Sequence, residues 1–345
     1  MFKVEANLAI TLKDIAVRAG VHVSTVSRVL RGKETQQVSP QTRKLILSIA
    51  EELNYTPNQL ARAFRLKKTH TIALLIPDIS NPFFAGLARS IEIQSYKSGY
   101  TLVVCNTDED QVKENQYLNN LRSRGIDGFI IAPVQDSKQQ IIELLNNKIP
   151  FVLIDRRFDD LETNAVISDN EESSFNAVEY LFRYQHKSVG FICGRKKLYT
   201  IKKRLVGFQN AVKEFQLNDN PELIAGDGFT MENGYRAAQK LLDLENPPTA
   251  VISSGNIITI GIMKAIYKRG LSIPRDISLV GFTDSFCVPY WGPPLTTISH
   301  PLQRMGHEAF SLLLKHLETK ETLAPRQITI KTQFNERRSV DQPKV

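Results

Sequence analysis

From residue 71 onward the sequence alternates short apolar runs with amphipathic stretches, and this alternation restricts the fold more than any other feature. The runs occupy 72–76, 102–105, 129–132, 151–154, 189–193, 250–252 and 277–280, with amphipathic stretches such as 84–96 and 111–121 between them. Near-continuous apolar runs predict strands buried on both faces, and helices between successive strands predict parallel sheets built from βαβ units. The runs form two similar series, about 70–165 and 168–297, so two lobes are expected, with the closing stretch 295–334 returning to the first. Sheets of this kind bind ligands in the crevice beyond the carboxyl ends of their strands.

That placement selects candidate ligand contacts. Asp78, Asn81, Phe83 and Phe84 follow the first strand, and Asp155 and Arg156 follow the fourth. Arg204 stands three residues before Gly207 at a helix start, Phe229 follows a short strand-like run, and Asp284 follows Val280, Gly281 and Phe282. Each has a plainer reading. Asp78 and Asn81 can cap the next helix, the phenylalanines can be core, and Asp155 can simply pin Arg156.

Residues 11–30, TLKDIAVRAGVHVSTVSRVL, follow a different period. Leu12, Ile15, Ala16 and Ala19 fall at helical spacing, Gly20 interrupts, and Val21, Val26, Val29 and Leu30 resume. The prediction is two short helices around a tight corner, with Thr11 capping the first and Asp14 three residues on. The second presents Ser24, Thr25, Ser27 and Arg28 and no acid, a face that can enter a major groove without repulsion, although a generic surface helix pair fits the pattern too. Charge separates the two readings. Residues 1–68 hold 12 Lys and Arg against 5 Asp and Glu, a net of +7 out of +8 for the whole chain. A basic excess so confined is the footprint of nucleic-acid binding. Ser39 and Pro40 then open a third helix, whose Leu45, Ile46, Ile49, Ala50 and Leu53 form a stripe able to close a small all-α core ending at Pro57. The next segment is basic at Arg62 and Arg65 and too short to be a stable helix by itself, so it reads as a linker.

Cys105, Cys193 and Cys287 lie far apart, an odd count without metal-ligand spacing, which predicts reduced thiols in a cytoplasm. The leader's apolar run is too short for a signal sequence, and no stretch approaches the ~20 apolar residues of a membrane span. No P-loop, G-x-S-x-G, H-E-x-x-H or C-x-x-C motif occurs, the histidines are scattered, and neither a cofactor nor a metal is expected. The chain does not read as an enzyme.

The segments TLKDIAVRAGVHVSTVSRVLRG and VSPQTRKLILSIAEELNYTPNQLAR, followed by IALLIPDISNPFFAGLARSIE, DGFIIAP, RLVGF, GLSIPRDISLVGF and PPLTTI, resemble the LacI/GalR family of bacterial transcriptional regulators over about residues 11–335. The resemblance implies a helix-turn-helix domain at 1–57, a hinge at 58–69 and an α/β two-lobed, periplasmic-binding-protein-like domain at 70–335. Lobe 1 is then about 70–165 with 298–335, and lobe 2 about 166–297. It implies a homodimeric repressor of carbohydrate-utilisation genes that binds a double-stranded DNA operator and a small-molecule effector. On DNA it implies contacts from Thr11, His22, Val23, Ser24, Thr25, Ser27 and Arg28. Asn58 and Arg62 would lie in the hinge, with Phe64 as a minor-groove wedge where the family more often has Leu.

Two departures from the family pattern bear on the effector. Gly255 and Asn256 stand where the family usually carries an Asn-Asp pair, which leaves Asn256 as the candidate there, and Thr283 and Asp284 stand where it has an acidic pair. Both changes remove a carboxylate that would accept from sugar hydroxyls. Meanwhile Arg195, Lys196, Lys197, Lys202, Lys203 and Arg204 crowd one segment. The expectation is an anionic effector, a sugar acid or phosphosugar. A solute receptor for transport is opposed by the helix-turn-helix and the lack of a signal sequence; a sugar-modifying enzyme and a regulator answering to a protein corepressor are the remaining alternatives.

Overall fold

Helix capping shapes the N-terminal unit. The computed structural model describes residues 10–30, 38–55, 68–134, 137–284, 292–319 and 324–344, and the chain divides into two units between Lys67 and Lys68. In the first unit, α1 (Leu12–Ala19) begins at Thr11, whose backbone N–H and hydroxyl both donate to Asp14, at 2.7 and 2.8 Å. Gly20 takes a left-handed φ of 65° that ends the helix and makes the corner. The cap of α2 (Val23–Val29) is His22, whose Nδ1 accepts from the backbone N–H of Ser24 at 3.3 Å. Ser39 caps α3 (Pro40–Glu52) by accepting from Thr42 N–H at 3.1 Å. Ile15, Ala16, Val26, Val29, Ile46, Ile49 and Ala50 form the core. Leu45, expected inside, is 46 % exposed, because the buried arc of α3 centres on Ile46 and Ile49. The hinge candidates Asn58, Arg62 and Phe64 lie outside the described residues.

The second unit holds two six-stranded sheets. The first contains β1 (Thr71–Ile76), β2 (Thr101–Asn106), β3 (Gly128–Ile131), β4 (Phe151–Ile154) and β5 (Ala165–Ser168); the second contains β6 (Val189–Ile192), β7 (Ile224–Ala225), β8 (Ala250–Ser253), β9 (Ser278–Phe282) and β10 (Thr296–Ser299). Finally β11 (Gln327–Ile330) joins the first sheet and β12 (Gln333–Asn335) the second. The orders are β11-β5-β4-β3-β1-β2 and β12-β10-β9-β8-β6-β7, all parallel except the antiparallel β10–β12 pair. Helices cover the sheets: α4 (Pro82–Lys97), α5 (Gln111–Ser123) and α6 (Lys138–Asn146) in lobe 1, and α7 (Asn170–Arg183), α8 (Tyr199–Glu214), α9 (Met231–Leu242) and α10 (Asn256–Lys268) in lobe 2. The last helix, α11 (Leu302–Glu318), packs against α4 and sheet 1.

The chain therefore passes between lobes three times, after β5, after β10 and after β11. The first and third crossings lie side by side, where Thr332 N–H donates to Asp169 at 2.8 Å and Asp169 N–H to Ile330 O at 3.2 Å. These crossings shift the expected lobe boundaries. β5 completes the first sheet, β10 still belongs to the second, and everything from β12 onward returns to lobe 2, where Phe334 packs on Tyr180 and Ser339 donates to Leu279 O. Helices α7 and α8 meet backbone on backbone: a Cβ at Gly207 of α8 would stand 2.0 Å from the carbonyl oxygen of Glu171 on α7.

Cys105 and Cys193 are buried free thiols, and Cys287 lies outside the described residues. His186 bridges Thr249 at 2.8 Å and Ser278 at 3.1 Å, a structural role. No helix among the described residues is long and apolar enough to cross a membrane.

Candidate functional site

In each sheet the strand order reverses once, between β1 and β3 in lobe 1 and between β6 and β8 in lobe 2, and loops diverge there to leave a crevice. The carboxyl ends of both sheets open onto one cleft of about 530 Å³. Of the residues predicted from sequence, Asp78, Asn81, Phe83, Phe84, Asp155, Arg156, Arg204, Phe229 and Asn256 line it. Asp284 does not. Arg337 takes its carboxylate at 2.6 Å and Asn335 donates to it at 3.0 Å, so the C-terminal segment beside β12 holds it away from the cleft. Asp108, Glu109, Arg195, Thr200, Ser254 and Thr283 line the cleft without having been selected as contacts. Asp108 and Glu109 directly follow β2, so the rule that picked Asp78 and Asp155 applies equally to them.

The lobe 1 wall is a network of buried charge. Arg156 donates to both oxygens of Glu109, at 2.7 and 2.9 Å, and to Pro133 O at 3.3 Å, and its Nε lies 3.5 Å from the Asp155 carboxylate. Asp108, Glu109 and Asp155 all have left-handed backbones, with φ of 55°, 57° and 65°, in the loops that line the cleft. Burial pushes the Asp155 carboxyl above its ordinary value, against the pull of Arg156 and Arg204. Glu114, fully buried beneath Arg156 and accepting from Val134 N–H at 3.0 Å, is pushed by burial up to about 7.

A folded-state value above the unfolded one means that Glu114's contribution is full in acid and lost as pH rises through about 7. Glu114→Gln keeps an acceptor for Val134 and removes the ionisation. Its expected effect is a gain of roughly 2–3 kcal/mol at pH 8 and little at pH 4, measured by denaturant unfolding at both. Equal gains at the two values would show that charge is not the cause.

The lobe 2 wall centres on Arg204. Its Nε donates to Asn170 Oδ1 at 2.7 Å, Nη1 to Ser254 O at 2.7 Å, and Nη2 lies 3.2 Å from His300 Nε2, with Phe282 4.1 Å beneath the guanidinium. Burial pushes Arg204 down to about 10, which leaves it cationic at neutral pH. Phe229 lies over Gly194 and Gly255 and offers a flat apolar floor. The lobes touch where Asn256 Nδ2 donates to Asn81 Oδ1 at 2.8 Å, Asn81 also accepting from Phe83 N–H at 3.0 Å as the cap of α4.

Of the clustered cations, only Arg195 and Arg204 line the cleft. Lys196, Lys197 and Lys202 are exposed, and Lys203 lies 3.7 Å from Glu171. The helical period of α8 points Arg204 inward and its neighbours outward, so the expectation of an anionic effector loses most of its cationic support. In the first unit, His22, Ser24 and Arg28 are exposed on α2, with Val23, Thr25 and Ser27 half-buried and Thr11 exposed at the start of α1.

Residues 69–338 match the family described as periplasmic binding proteins and sugar binding domain of the LacI family, and residues 11–58 match the bacterial regulatory proteins of the lacI family. The chain belongs to the LacI family. It is 34 % identical over 312 residues to the HTH-type transcriptional repressor PurR of Aliivibrio salmonicida, covering 90 % of this chain and 93 % of that protein. Among solved structures, a LacI family transcriptional regulator from Enterococcus faecium with bound ribose is 29 % identical with a TM-score of 0.71, covering 79 % of this chain and all of that one. The lac repressor dimer bound to operator and an anti-inducer, 23 % identical with a TM-score of 0.86 over 96 % of this chain and 99 % of that one, shares the fold. This LacI-family member is a DNA-binding transcriptional regulator with a ligand-binding domain, and not an enzyme.

Proposed function

We propose that this regulator is a cytoplasmic homodimeric repressor of carbohydrate-utilisation genes, released from or held on its operator by a small polyhydroxylated effector in the cleft. The observation that carries the reading is the two-sided cleft, whose lobe 1 wall offers carboxylate acceptors at Asp78 and Asp108 while lobe 2 offers donors at Arg195 and Arg204 over the flat ring of Phe229. An effector with hydroxyls at one end and an acceptor or acidic group at the other fits both walls, which keeps a sugar acid or phosphosugar as the favoured class. Ser24, Thr25 and Arg28 read major-groove edges of each half-site, Thr11, His22, Val23 and Ser27 support the docking, and Asn58, Arg62 and Phe64 engage the minor groove between half-sites. Closing the cleft moves the lobes about their crossings and shifts the spacing of the two hinges. The coupling is reciprocal, so operator DNA alters effector affinity by the same factor.

Selection of random duplexes by the purified protein, repeated with sugars, sugar acids and phosphosugars, tests this reading. A near-palindromic site released by one compound supports it, and failure to enrich any site would sink it. Arg28→Ala is expected to cost roughly 1–3 kcal/mol on the selected site with nonspecific binding nearly unchanged, as read by titration on specific and random duplexes. An equal loss on both would assign Arg28 to phosphate contact alone.

A further inference from the structure

His300 lies in the second crossing, 6 % exposed, and touches both lobes. Its ring meets Phe83 of lobe 1 edge-on at a centroid distance of 5.2 Å. Toward lobe 2, its Nε2 is 3.2 Å from Arg204 Nη2 and its Nδ1 is 3.1 Å from the Thr283 hydroxyl. A guanidinium has donors only, so Nε2 must accept and the ring's single proton stands on Nδ1. The Thr283 oxygen accepts that proton's hydrogen bond, which leaves its own O–H to turn toward the cleft it lines. Arg204 engages Asn170, Ser254 and His300 among the described residues, so two of its five N–H groups remain for a ligand.

We propose that His300 is a positioning residue for effector recognition: as a neutral acceptor it fixes Arg204 and Thr283 as hydrogen-bond donors on one wall, and so selects an effector that brings oxyanion oxygens, of a carboxylate or a phosphate, to that wall. The inference rests on the cleft being the effector site. It also gives Thr283 a role opposite to that of an acidic residue, since a carboxylate there would accept from hydroxyls and repel an oxyanion. Among the described residues the charged group facing the ring is Arg204 on α8; α4 brings Phe83, and β9 with the residues just after it brings Phe282 and Thr283. Asp155 and Arg156 act on Arg204 from lobe 1. Burial and Arg204 together hold the imidazole well below its ordinary value, so it stays neutral at physiological pH. Protonation would set a second cation against Arg204 and weaken its hold.

Imidazole 15N NMR of the full chain between pH 8 and pH 6, assigned by comparison with His300→Gln, tests the arrangement. The expected result is a neutral ring protonated on Nδ1 throughout, with a slowly exchanging Arg204 Nη2–H, the group that faces His300 Nε2. His300→Gln keeps an acceptor for Arg204 and a donor for Thr283. It should leave that exchange within about twofold of wild type, whereas His300→Leu should speed it about tenfold, the worth of one charge-assisted bond. A ring protonated on Nε2, an imidazolium at pH 7, or equal protection in the Leu variant overturns the proposal. Titration calorimetry with D-gluconate 6-phosphate, D-gluconate and D-glucose tests the selection. Binding of the acid or phosphate, weakened in His300→Leu and restored in His300→Gln, is expected, and preference for glucose overturns it. No binding by any of the three overturns the choice of ligand class, and the NMR readout alone then decides the positioning role, so the two failures are told apart.

Discussion

Replacing Arg156 by Met is expected to destabilise the second unit by about 3–5 kcal/mol at pH 7, the cost of removing one partner from a buried ion pair. The cost falls on the carboxylates left behind. Glu109 loses bonds of 2.7 and 2.9 Å, Asp155 loses a cation 3.5 Å away, and Glu114 loses a favourable charge while remaining fully buried. Asp155 and Glu114 already titrate above their ordinary values because of burial, and removing the guanidinium raises them further. A carboxyl whose folded value is raised is most stabilising in acid and loses that contribution as pH rises through the folded value. The deficit of Arg156→Met relative to wild type should therefore be largest at pH 8 and shrink steadily toward pH 4. Denaturant unfolding of both proteins across that range measures it, and a deficit independent of pH would mean that Arg156 acts through packing alone.

Gly207→Ala is expected to cost about 3 kcal/mol, at the upper end for forcing a methyl group into a filled space. Its Cβ would stand 2.0 Å from the backbone oxygen of Glu171, an atom that cannot rotate aside, so α7 and α8 must separate. Gly228→Ala is the control. The nearest atom to its Cβ would be 3.7 Å away, and the change should stay within about 0.5 kcal/mol. Because α8 also carries Arg204, any Gly207→Ala protein that folds should respond poorly to effector even at temperatures where it is fully folded. Thermal unfolding of the two variants, followed by effector release of operator, separates the effects. Similar stability of the two would contradict the close approach of the helices.

Most of the central strands were legible because helices cover both faces of each sheet, which makes runs such as 129–132 apolar without interruption. The strands that sequence reasoning missed are those that no long apolar run marks. β11 shows Gln327 and Thr329 to solvent and β12 pairs antiparallel at an edge, while β5 and β10 lie inside their sheets but end in Ser168 and Ser299, with Thr296 and Thr297 opening β10. The cleft was legible to the extent that position at a strand's carboxyl end determines it, which places Asp78, Asp155 and Arg156 together. It failed for Asp284 because the partner that withdraws it, Arg337, is 53 residues away in sequence. It failed for His300 because β10 was not recognised as a strand, so nothing marked the residue just beyond it. Leu45 misled for a related reason, since a stripe at helical spacing does not state how wide an arc the neighbouring helices cover.

The three crossings also set the order in which the protein can be completed. Sheet 1 gains its last strand when Gln327 pairs with Ala165, and α4 gains its helical neighbour only with α11, both after all of β6 to β10 has been made. A chain growing from its N-terminus thus carries an unfinished first lobe while the second is assembled, its apolar face waiting on distant residues. Pairings so remote in sequence close slowly, because the entropy of the intervening loop is lost before the contacts form. Lobe 2 in turn receives β12 last of all, so neither half can finish as an autonomous bead on the ribosome. The two lobes mature together in the final stretch of synthesis, and the cleft between them forms only when both are closed.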